Sequence, residues 1–244
     1  MYSISPAEPA AGGKFTFDTL ADVAAGKYDQ QFLAQLQPLN ALPSTPFVAF
    51  DDEPENVLET RACSKPGDHK VCGPEFVAAW RHVHDLAKAR GLTKLRWVWA
   101  LTANFFADSP DSVDLYFPGL TYVDWVGADL YNQDCGTKTA AYKTDTFAKL
   151  IAPVLKWHDA KAADMPIALT EWGAPELPGD PSARADWLRA AAATMKTIPA
   201  LKMVMYWDGG GDTFSGCDFS LKPGQPAYDA FQEIGADSYF AGKP

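Results

Sequence analysis

Residues 166–173 have the sequence PIALTEWG, in which a short apolar run ends in a carboxylate and a tryptophan. Such a run, bounded by turn residues, is typical of a strand that is buried on both faces of a parallel sheet. Residues 46–53, PFVAFDDE, show the same arrangement, again with acidic side chains directly after the apolar run. Because a barrel brings the carboxyl ends of its strands to one face, the two stretches predict a shared acidic site.

Four more strands are predicted, at LRWVWAL (95–101), YVDWVGADLY (122–131), KMVMYW (202–207) and YSIS (2–5). Amphipathic stretches typical of helices lie between most of them, so the alternation predicts an α/β fold with a parallel sheet. No G-x-G-x-x-G motif follows a strand, which argues against a dinucleotide-binding open sheet. A (β/α)8 TIM-type barrel is favoured because acidic and aromatic residues gather beyond the strand ends: Asp52, Glu53, Trp99, Asp129, Tyr131, Glu171, Trp172, Trp207 and Asp208.

The strand count is the weak point of a barrel, since six strands are found where eight are needed. We expect one domain over residues 1–244 that lacks up to two strand–helix units at its start. The strand near residues 2–5 should then pair beside residues 46–50. Residues 102–121 are expected to form a long connection without helical period.

Composition excludes several classes of protein. The 244 residues carry 21 Lys and Arg against 31 Asp and Glu, a net charge of −10, which argues against a nucleic-acid partner. No apolar run approaches the roughly 20 residues of a membrane-spanning helix, so no membrane partner is expected. Aromatic residues make up 13% of the chain, which suits either a large core or a cleft that stacks on sugar rings.

The four cysteines contain no C-x-x-C pair, so neither a zinc ribbon nor a thioredoxin-type motif is expected. We expect two disulfides, Cys63 with Cys72 and Cys135 with Cys217, and hence a secreted protein. The alternative is four free thiols in a cytosolic protein. The opening MYSISPAEPAAGG lacks the features of a signal peptide, so secretion requires that a signal was removed or that the chain is a fragment.

Glu53 and Glu171 are the candidate catalytic residues, since two carboxylates at one barrel mouth can divide glycosidic cleavage into acid and nucleophile roles. Taken singly, either residue could instead form a salt bridge or cap a helix. No metal site is expected, because His82 and His84 lie two residues apart and so on different helix faces. No cofactor is implied.

Three stretches resemble glycoside hydrolase family 26: DDEPEN (51–56), FPGLTYVDWVGADLYN (117–132) and PIALTEWG. Residues 15–29 and 236–240 also resemble segments of that family, which holds endo-β-1,4-mannanases. The wider resemblance is to the clan of retaining (β/α)8 glycosidases. It implies that Glu53 is the acid/base, that Glu171 is the nucleophile and that Tyr131 orients Glu171.

The resemblance also implies contacts with the sugar. Trp207 would form the floor under the sugar at the cleavage point, and Trp99 and Asn104 would border the cleft. Asp52, Asp129 and Trp172, which also lie at strand ends, are further candidates for substrate binding. The alternative for Trp99 and Trp207 is that they belong to the barrel core.

The chain departs from the family beside the acid/base, where it has Asp52 in place of His and Ala49 in place of an upstream Arg. An adjacent Asp could raise the pKa of Glu53 but cannot donate the hydrogen bond that His donates. The leading expectation is a monomeric, secreted, retaining hydrolase of a β-linked polysaccharide, with mannan first. The alternative is a non-catalytic carbohydrate-binding barrel derived from such an enzyme.

Overall fold

The structure is a computed structural model that describes residues 1–5, 8–9, 15–16, 19–56, 63–132, 145–177, 179–209 and 217–241. The chain divides into two compact units, Met1–Gly127 and Ala128–Pro244, and the boundary falls inside one strand. No helix among the described residues is long and apolar enough to cross a membrane.

The first unit alternates strands and helices in the predicted manner. Its elements are β1 (Tyr2–Ile4), β2 (Glu8–Pro9), β3 (Phe15–Thr16), α1 (Leu20–Ala24), α2 (Asp29–Asn40), β4 (Phe47–Phe50), α3 (His69–Ala89), β5 (Arg96–Thr102), α4 (Ala103–Asp108), α5 (Pro110–Tyr116) and the start of β6 (Trp125–Tyr131). β1 pairs with β4 in parallel, with Tyr2 opposite Val48, as expected. β4 pairs in parallel with β5, and β2 and β3 form a small antiparallel pair.

The core of the first unit is aromatic. Phe50, the last residue of β4, stacks on Phe76 of α3 at 5.8 Å between ring centroids and meets Phe32 of α2 edge to face at 5.7 Å. Large aromatic side chains bury 150–250 Å² each, so this cluster contributes much of the burial that holds the helices against β4. The strand is thereby fixed directly before the acidic segment that follows it.

The connection after β5 differs from expectation. Residues 102–121 contain two helices, α4 and α5, where a stretch without helical period was predicted. Each helix spans only about two turns, too few for a periodic pattern to be recognised in sequence. Their starts are marked chemically instead, because the Thr102 hydroxyl accepts from the Phe105 amide at 3.3 Å and Pro110 occupies the first turn of α5.

The second unit contains the end of β6 and the elements α6 (Phe147–Lys161), β7 (Ile167–Gly173), α7 (Ala183–Met195), β8 (Leu201–Tyr206) and α8 (Pro226–Ala236). β7 and β8 pair in parallel. Just after β6, the Asn132 amide donates to the Gly173 carbonyl at 2.9 Å, which places the end of β6 beside the end of β7. Three candidate strand ends therefore meet within this unit.

The cysteine predictions have different outcomes. Cys63 and Cys72 form a disulfide with a Cα–Cα distance of 5.2 Å, which confirms that pair. Cys217 is disulfide-bonded, and its predicted partner Cys135 lies outside the described residues. The confirmed bridge closes the loop ahead of α3.

Close packing of α3 against α5 gives a test of the first unit. A Cβ added to Gly73 in α3 would lie 2.8 Å from both the Cβ and the carbonyl oxygen of Leu115. We expect Gly73→Ala to lower the free energy of unfolding by about 1–3 kcal/mol, measured by urea denaturation, because the overpacked helices must separate. Gly235→Ala in α8 is the control, since no atom lies within 4 Å of its added Cβ. Equal effects of the two changes would contradict this packing.

Candidate active site

Glu171 lies at an irregularity of β7 in the second unit. Leu169 is opposite Val204 of β8, whereas Trp172 is opposite Tyr206, so three steps along β7 span two along β8. An extra residue in one strand is a β-bulge, which turns the local side chains away from strict alternation. Glu171 is partly exposed at this bulge while both its neighbours in the strand are buried.

Tyr131, the last residue of β6, donates a hydrogen bond from its hydroxyl to Oε2 of Glu171. Two residues before it, the buried Asp129 accepts a hydrogen bond from the Thr170 hydroxyl at 2.6 Å. A hydrogen bond to a carboxylate is short and strong, and it favours the charged form of the acceptor. The ends of β6 and β7 thus hold the Glu171 carboxylate in one orientation.

Phe219 supports the ring of Tyr131 from the segment after β8. The two ring centroids lie 4.9 Å apart, and the Phe219 ring edge lies 3.1 Å from where a Cβ on Gly173 would stand. A larger residue at position 173 would therefore displace this ring. Gly173 makes room for the contact that fixes Tyr131.

Arg184 of α7 anchors the backbone of that segment. Its guanidinium is almost completely buried and donates to the Phe219 carbonyl, to the Ser220 carbonyl at 3.1 Å and to the Tyr206 hydroxyl at 2.5 Å. The Tyr206 hydroxyl in turn donates to the Phe219 carbonyl at 2.8 Å, and burial raises the pKa of Tyr206. A buried arginine needs such partners, and the Glu176 carboxylate at 3.2 Å supplies the opposite charge.

The three candidate tryptophans lie in different surroundings. Trp207, directly after β8, is 45% exposed, so its ring surface is available to a ligand. Trp172 is buried and packs edge to face on Tyr206 at 5.4 Å. Trp99 is also buried, 5.0 Å from the ring of Phe117 in the first unit. Burial favours the core alternative for Trp99, and exposure favours the cleft for Trp207.

Glu53 lies in a tight turn after β4 in the first unit. The Asn56 amide N–H donates to the Glu53 carbonyl at 3.0 Å, and the Asn56 side chain donates to Oε2 of Glu53 at 3.1 Å. Glu53 has φ 49° and Asp51 has φ 55°, both in the left-handed region. For residues other than glycine this conformation costs about 1–3 kcal/mol and is concentrated at functional sites.

Glu55 is the buried carboxyl group of the same turn. It is 6% exposed, and Oε1 accepts a hydrogen bond from the Thr102 backbone N–H at 2.5 Å. Burial raises the pKa of Glu55 from its ordinary 4.5 to about 7, while the hydrogen bond from Thr102 acts in the opposite direction. The group therefore titrates near neutral pH, unlike an exposed glutamate.

The predicted polar site residues are divided between the two units. Within the second unit, Asp129, Tyr131 and Glu171 are joined through side-chain hydrogen bonds at the β6 and β7 ends. Within the first unit, Asp52 lies partly exposed beside Glu53, and Asn104 is exposed in the first turn of α4. Neither unit, over its described residues, gathers three metal-ligating side chains of its own.

Sequence reasoning missed Glu55, Arg184 and Phe219. Glu55 had a signal, since four of the five residues 51–55 are acidic and a tight turn cannot expose them all. Arg184 had none, because a charged residue on an amphipathic helix is ordinarily at the surface. Phe219 falls in a Gly- and Asp-rich stretch, residues 208–220, that has neither strand alternation nor helical periodicity.

The chain is similar in sequence and in fold to several known proteins. Residues 74–164 match the family model described as glycosyl hydrolase family 26. Endoglucanase H of Acetivibrio thermocellus is 24% identical over 122 residues, covering 50% of this chain and 13% of that protein. The modular endo-β-1,4-mannanase of Cellulomonas fimi has a similar structure, with a TM-score of 0.64, 17% identity and coverage of 97% of this chain and 54% of that one.

A second mannanase structure, the family 26 catalytic domain from Bacillus sp. JAMB-750, gives a TM-score of 0.61 at 20% identity and covers 97% of this chain and 65% of that one. These matches confirm both the resemblance to glycoside hydrolase family 26 and the expected α/β fold of (β/α)8 barrel type. The chain spans about one eighth of the endoglucanase and between half and two thirds of the two mannanases.

The buried Glu55 gives a pH-dependent test of stability. Between about pH 4.5 and 7 the folded protein holds a proton that the unfolded chain has released, so the free energy of unfolding falls as pH rises through this window. Glu55→Gln lacks this titration. We expect the variant to gain on the order of 3 kcal/mol relative to wild type between pH 4.5 and 8, measured by urea unfolding.

The matched control for that test is Glu75→Gln, which removes a partly exposed carboxylate of the same unit. The difference that Glu75→Gln shows from wild type at each pH is the baseline against which the Glu55→Gln difference is compared. A Glu55→Gln difference that is constant from pH 4.5 to 8 would contradict the burial of an ionisable group at this position.

Proposed function

We propose that this chain is the catalytic part of a retaining glycoside hydrolase. Residues 74–164 match the model of glycoside hydrolase family 26, and the fold is similar to that of a mannanase from that family. The observation that carries the proposal is the hydrogen bond from Tyr131 to Glu171 at the ends of β6 and β7. The Tyr131 hydroxyl orients one carboxyl oxygen of Glu171, and the Glu171 side chain is partly exposed at the strand end.

Glu171 is proposed as the nucleophile. A carboxylate that attacks carbon must be ionised and must hold its direction, and the Tyr131 hydroxyl favours both. The Phe219 ring at 4.9 Å keeps the Tyr131 ring in place, and Arg184 holds the Phe219 backbone. The support for the nucleophile thus extends from the carboxylate to a buried helix residue.

Glu53 is proposed as the acid/base. It follows β4 directly and is partly exposed, and among the described residues one of its carboxyl oxygens accepts from the Asn56 side-chain amide. Its other oxygen is then available to exchange a proton with a leaving group or with water. A retaining mechanism requires the carboxyl groups of Glu53 and Glu171 to lie about 5 to 5.5 Å apart, and that separation stays a prediction.

The reaction takes two displacements. A carboxylate oxygen of Glu171 attacks the anomeric carbon, the glycosidic C–O bond breaks, and the departing oxygen takes the Glu53 proton. Water then loses a proton to Glu53 while its oxygen attacks the same carbon, and the bond to Glu171 breaks. Both carboxyl groups return to their initial protonation states, so no cofactor is consumed.

The substrate is proposed to be a β-linked polysaccharide, with mannan first. The two structural relatives described above are endo-β-1,4-mannanases, whereas the relative found by sequence is an endoglucanase. The exposed ring of Trp207 beside the Glu171 strand end is suited to stack on the apolar face of a sugar. Asp52, Asn104 and the other polar residues at the strand ends are proposed to contact its hydroxyl groups.

A non-catalytic carbohydrate-binding barrel is the second candidate. Asp52 and Ala49 favour it, because they stand where the family has a His and an Arg beside the acid/base. Binding would need the exposed Trp207 but would not need Tyr131 to orient Glu171. The second unit therefore favours the enzyme, and the segment around residue 52 favours the binding module.

We also propose that the protein is secreted and monomeric. The Cys63–Cys72 disulfide is typical of proteins from oxidising compartments. The net charge of −10 and the polysaccharide substrate suit an extracellular hydrolase that binds no nucleic acid.

Single substitutions in the full-length protein test the two roles. On an aryl β-glycoside with an acidic leaving group, Glu171→Ala should lower kcat/KM by at least about 10⁴-fold, because the attacking oxygen is removed. Glu53→Ala should keep kcat/KM within about tenfold of wild type on that substrate, because the leaving group departs without protonation. On mannan, the same variant should lose about 10²-fold or more in kcat/KM.

Glu233→Ala is the matched control, since it removes a surface glutamate that pairs with Arg189 in α7. It should retain wild-type activity on both substrates. Activity in Glu171→Ala, or equal losses for Glu53→Ala on both substrates, would overturn the assignment. Wild-type binding of mannan without any hydrolysis would favour the binding module.

A further inference from the structure

The turn that carries Glu53 is attached to the start of α4 by Glu55. Thr102 is the last residue of β5 and the N-cap of α4, and its backbone N–H donates to Oε1 of Glu55 at 2.5 Å. In a capping box, the acceptor for the N-cap N–H is a Glu or Gln three residues into the same helix. That position is Phe105 here, which has no side-chain acceptor. Glu55 supplies the missing carboxylate from the preceding strand–helix connection.

The backbone around Glu53 needs such an anchor. Residues 53–56 form a turn closed by the hydrogen bond from the Asn56 N–H to the Glu53 carbonyl at 3.0 Å, with Pro54 and Glu55 at the two central positions. Glu53 is held at φ 49° in the left-handed region. A strained conformation of this kind persists only when the surrounding contacts stabilise it by more than the strain costs.

The hydrogen bonds of Asn56 alone do not provide that stabilisation. Its hydrogen bonds to Glu53 are internal to the turn, and Asn56 is itself exposed, so these bonds fix the shape of the turn but not its place in the fold. Pro54 is buried and packs the turn without a directional bond, whereas the Glu55 carboxyl group makes a hydrogen bond to a regular element. Burying that group is costly, and an apolar side chain would fill the space more cheaply if packing were the whole requirement.

We propose that Glu55 is a positioning residue for the acid/base: its hydrogen bond to the Thr102 N–H fixes the Glu53 carboxyl group where it can protonate the leaving group. This inference rests on the proposed function and assigns a further residue to the same site. Glu55 touches no reacting atom in this scheme. It acts through the backbone of the turn, two residues after the group that it positions.

Leaving-group dependence separates positioning from general stability. Two aryl β-glycosides of the sugar that the wild-type protein releases are compared, one with a dinitrophenyl leaving group and one with an unsubstituted phenyl group. Glu55→Ala should lower kcat/KM on the phenyl glycoside by about 10²-fold, the contribution of a well-placed general acid, and change it by less than about threefold on the dinitrophenyl glycoside. Glu55→Gln should restore most of the loss, because its amide oxygen still accepts from the Thr102 N–H.

Thr102 offers a test that leaves Glu55 unchanged. Thr102 has φ −65°, the value that proline adopts, so Thr102→Pro removes the N–H donor with little change of backbone. Thr102→Ala is the comparison, because it keeps the N–H and removes only the hydroxyl, which caps α4 and also bonds to Glu55. The proline variant should lose more activity on the phenyl glycoside than on the dinitrophenyl glycoside, and this difference should be clearly smaller in the alanine variant. Glu75→Gln, with a partly exposed carboxylate in the same unit, should match wild type on both glycosides.

The outcomes distinguish this inference from the proposed function. If Glu53→Ala shows the split but Glu55→Ala and Thr102→Pro lose activity equally on both glycosides, or lose none, Glu55 is not a positioning residue. If Glu53→Ala shows no split, or the wild-type protein hydrolyses neither glycoside, the acid/base assignment fails and this inference fails with it. Circular dichroism and urea unfolding at the assay temperature identify any variant that does not fold. If either Glu55→Ala or Thr102→Pro fails to fold, the other variant decides whether Glu55 positions the acid/base.

Discussion

The hydrogen bond from Tyr131 to Glu171 is the constraint around which the second unit is arranged. Glu171 lies at a bulge of β7, where a carboxylate would otherwise have freedom to turn. The neighbouring bond from Thr170 to Asp129 ties β6 to β7 one layer deeper. Phe219 then packs on Tyr131, and the buried Arg184 fixes the Phe219 backbone. These contacts give the Glu171 side chain a fixed direction, which the proposed role of a nucleophile requires.

The first unit carries Glu53, the proposed acid/base, and an acid/base must exchange a proton and cannot be tightly paired. Glu53 lies in a strained turn, where the Asn56 side chain donates to one of its carboxyl oxygens. The cost of that strain, with the burial of Glu55, is a few kcal/mol. It is small beside the burial of the Phe32, Phe50 and Phe76 cluster that holds β4 in place. Stability supplied by the core thus permits a strained, polar segment at the strand end.

Sequence patterns predicted the elements that depend on burial. The structure contains the expected strands before Glu53 and Glu171. It also contains the expected parallel pairing of β1 with β4 and the Cys63–Cys72 bridge. Patterns failed where short polar interactions decide the structure. The two short helices within residues 102–121 depend on the Thr102 cap, and the roles of Glu55 and Arg184 depend on backbone atoms distant in sequence. Alternation and periodicity carry no information about such partners.

Trapping the glycosyl-enzyme would identify the side chain that attacks the sugar. The full-length protein would be incubated with a 2-deoxy-2-fluoro aryl β-glycoside, whose fluorine slows release of the glycosyl-enzyme, and its peptides analysed by mass spectrometry. We expect one adduct of the fluorosugar mass on the peptide that contains Glu171, and none in Glu171→Ala. An adduct on another residue, or hydrolysis of the natural substrate with inverted anomeric configuration and no adduct, would contradict it.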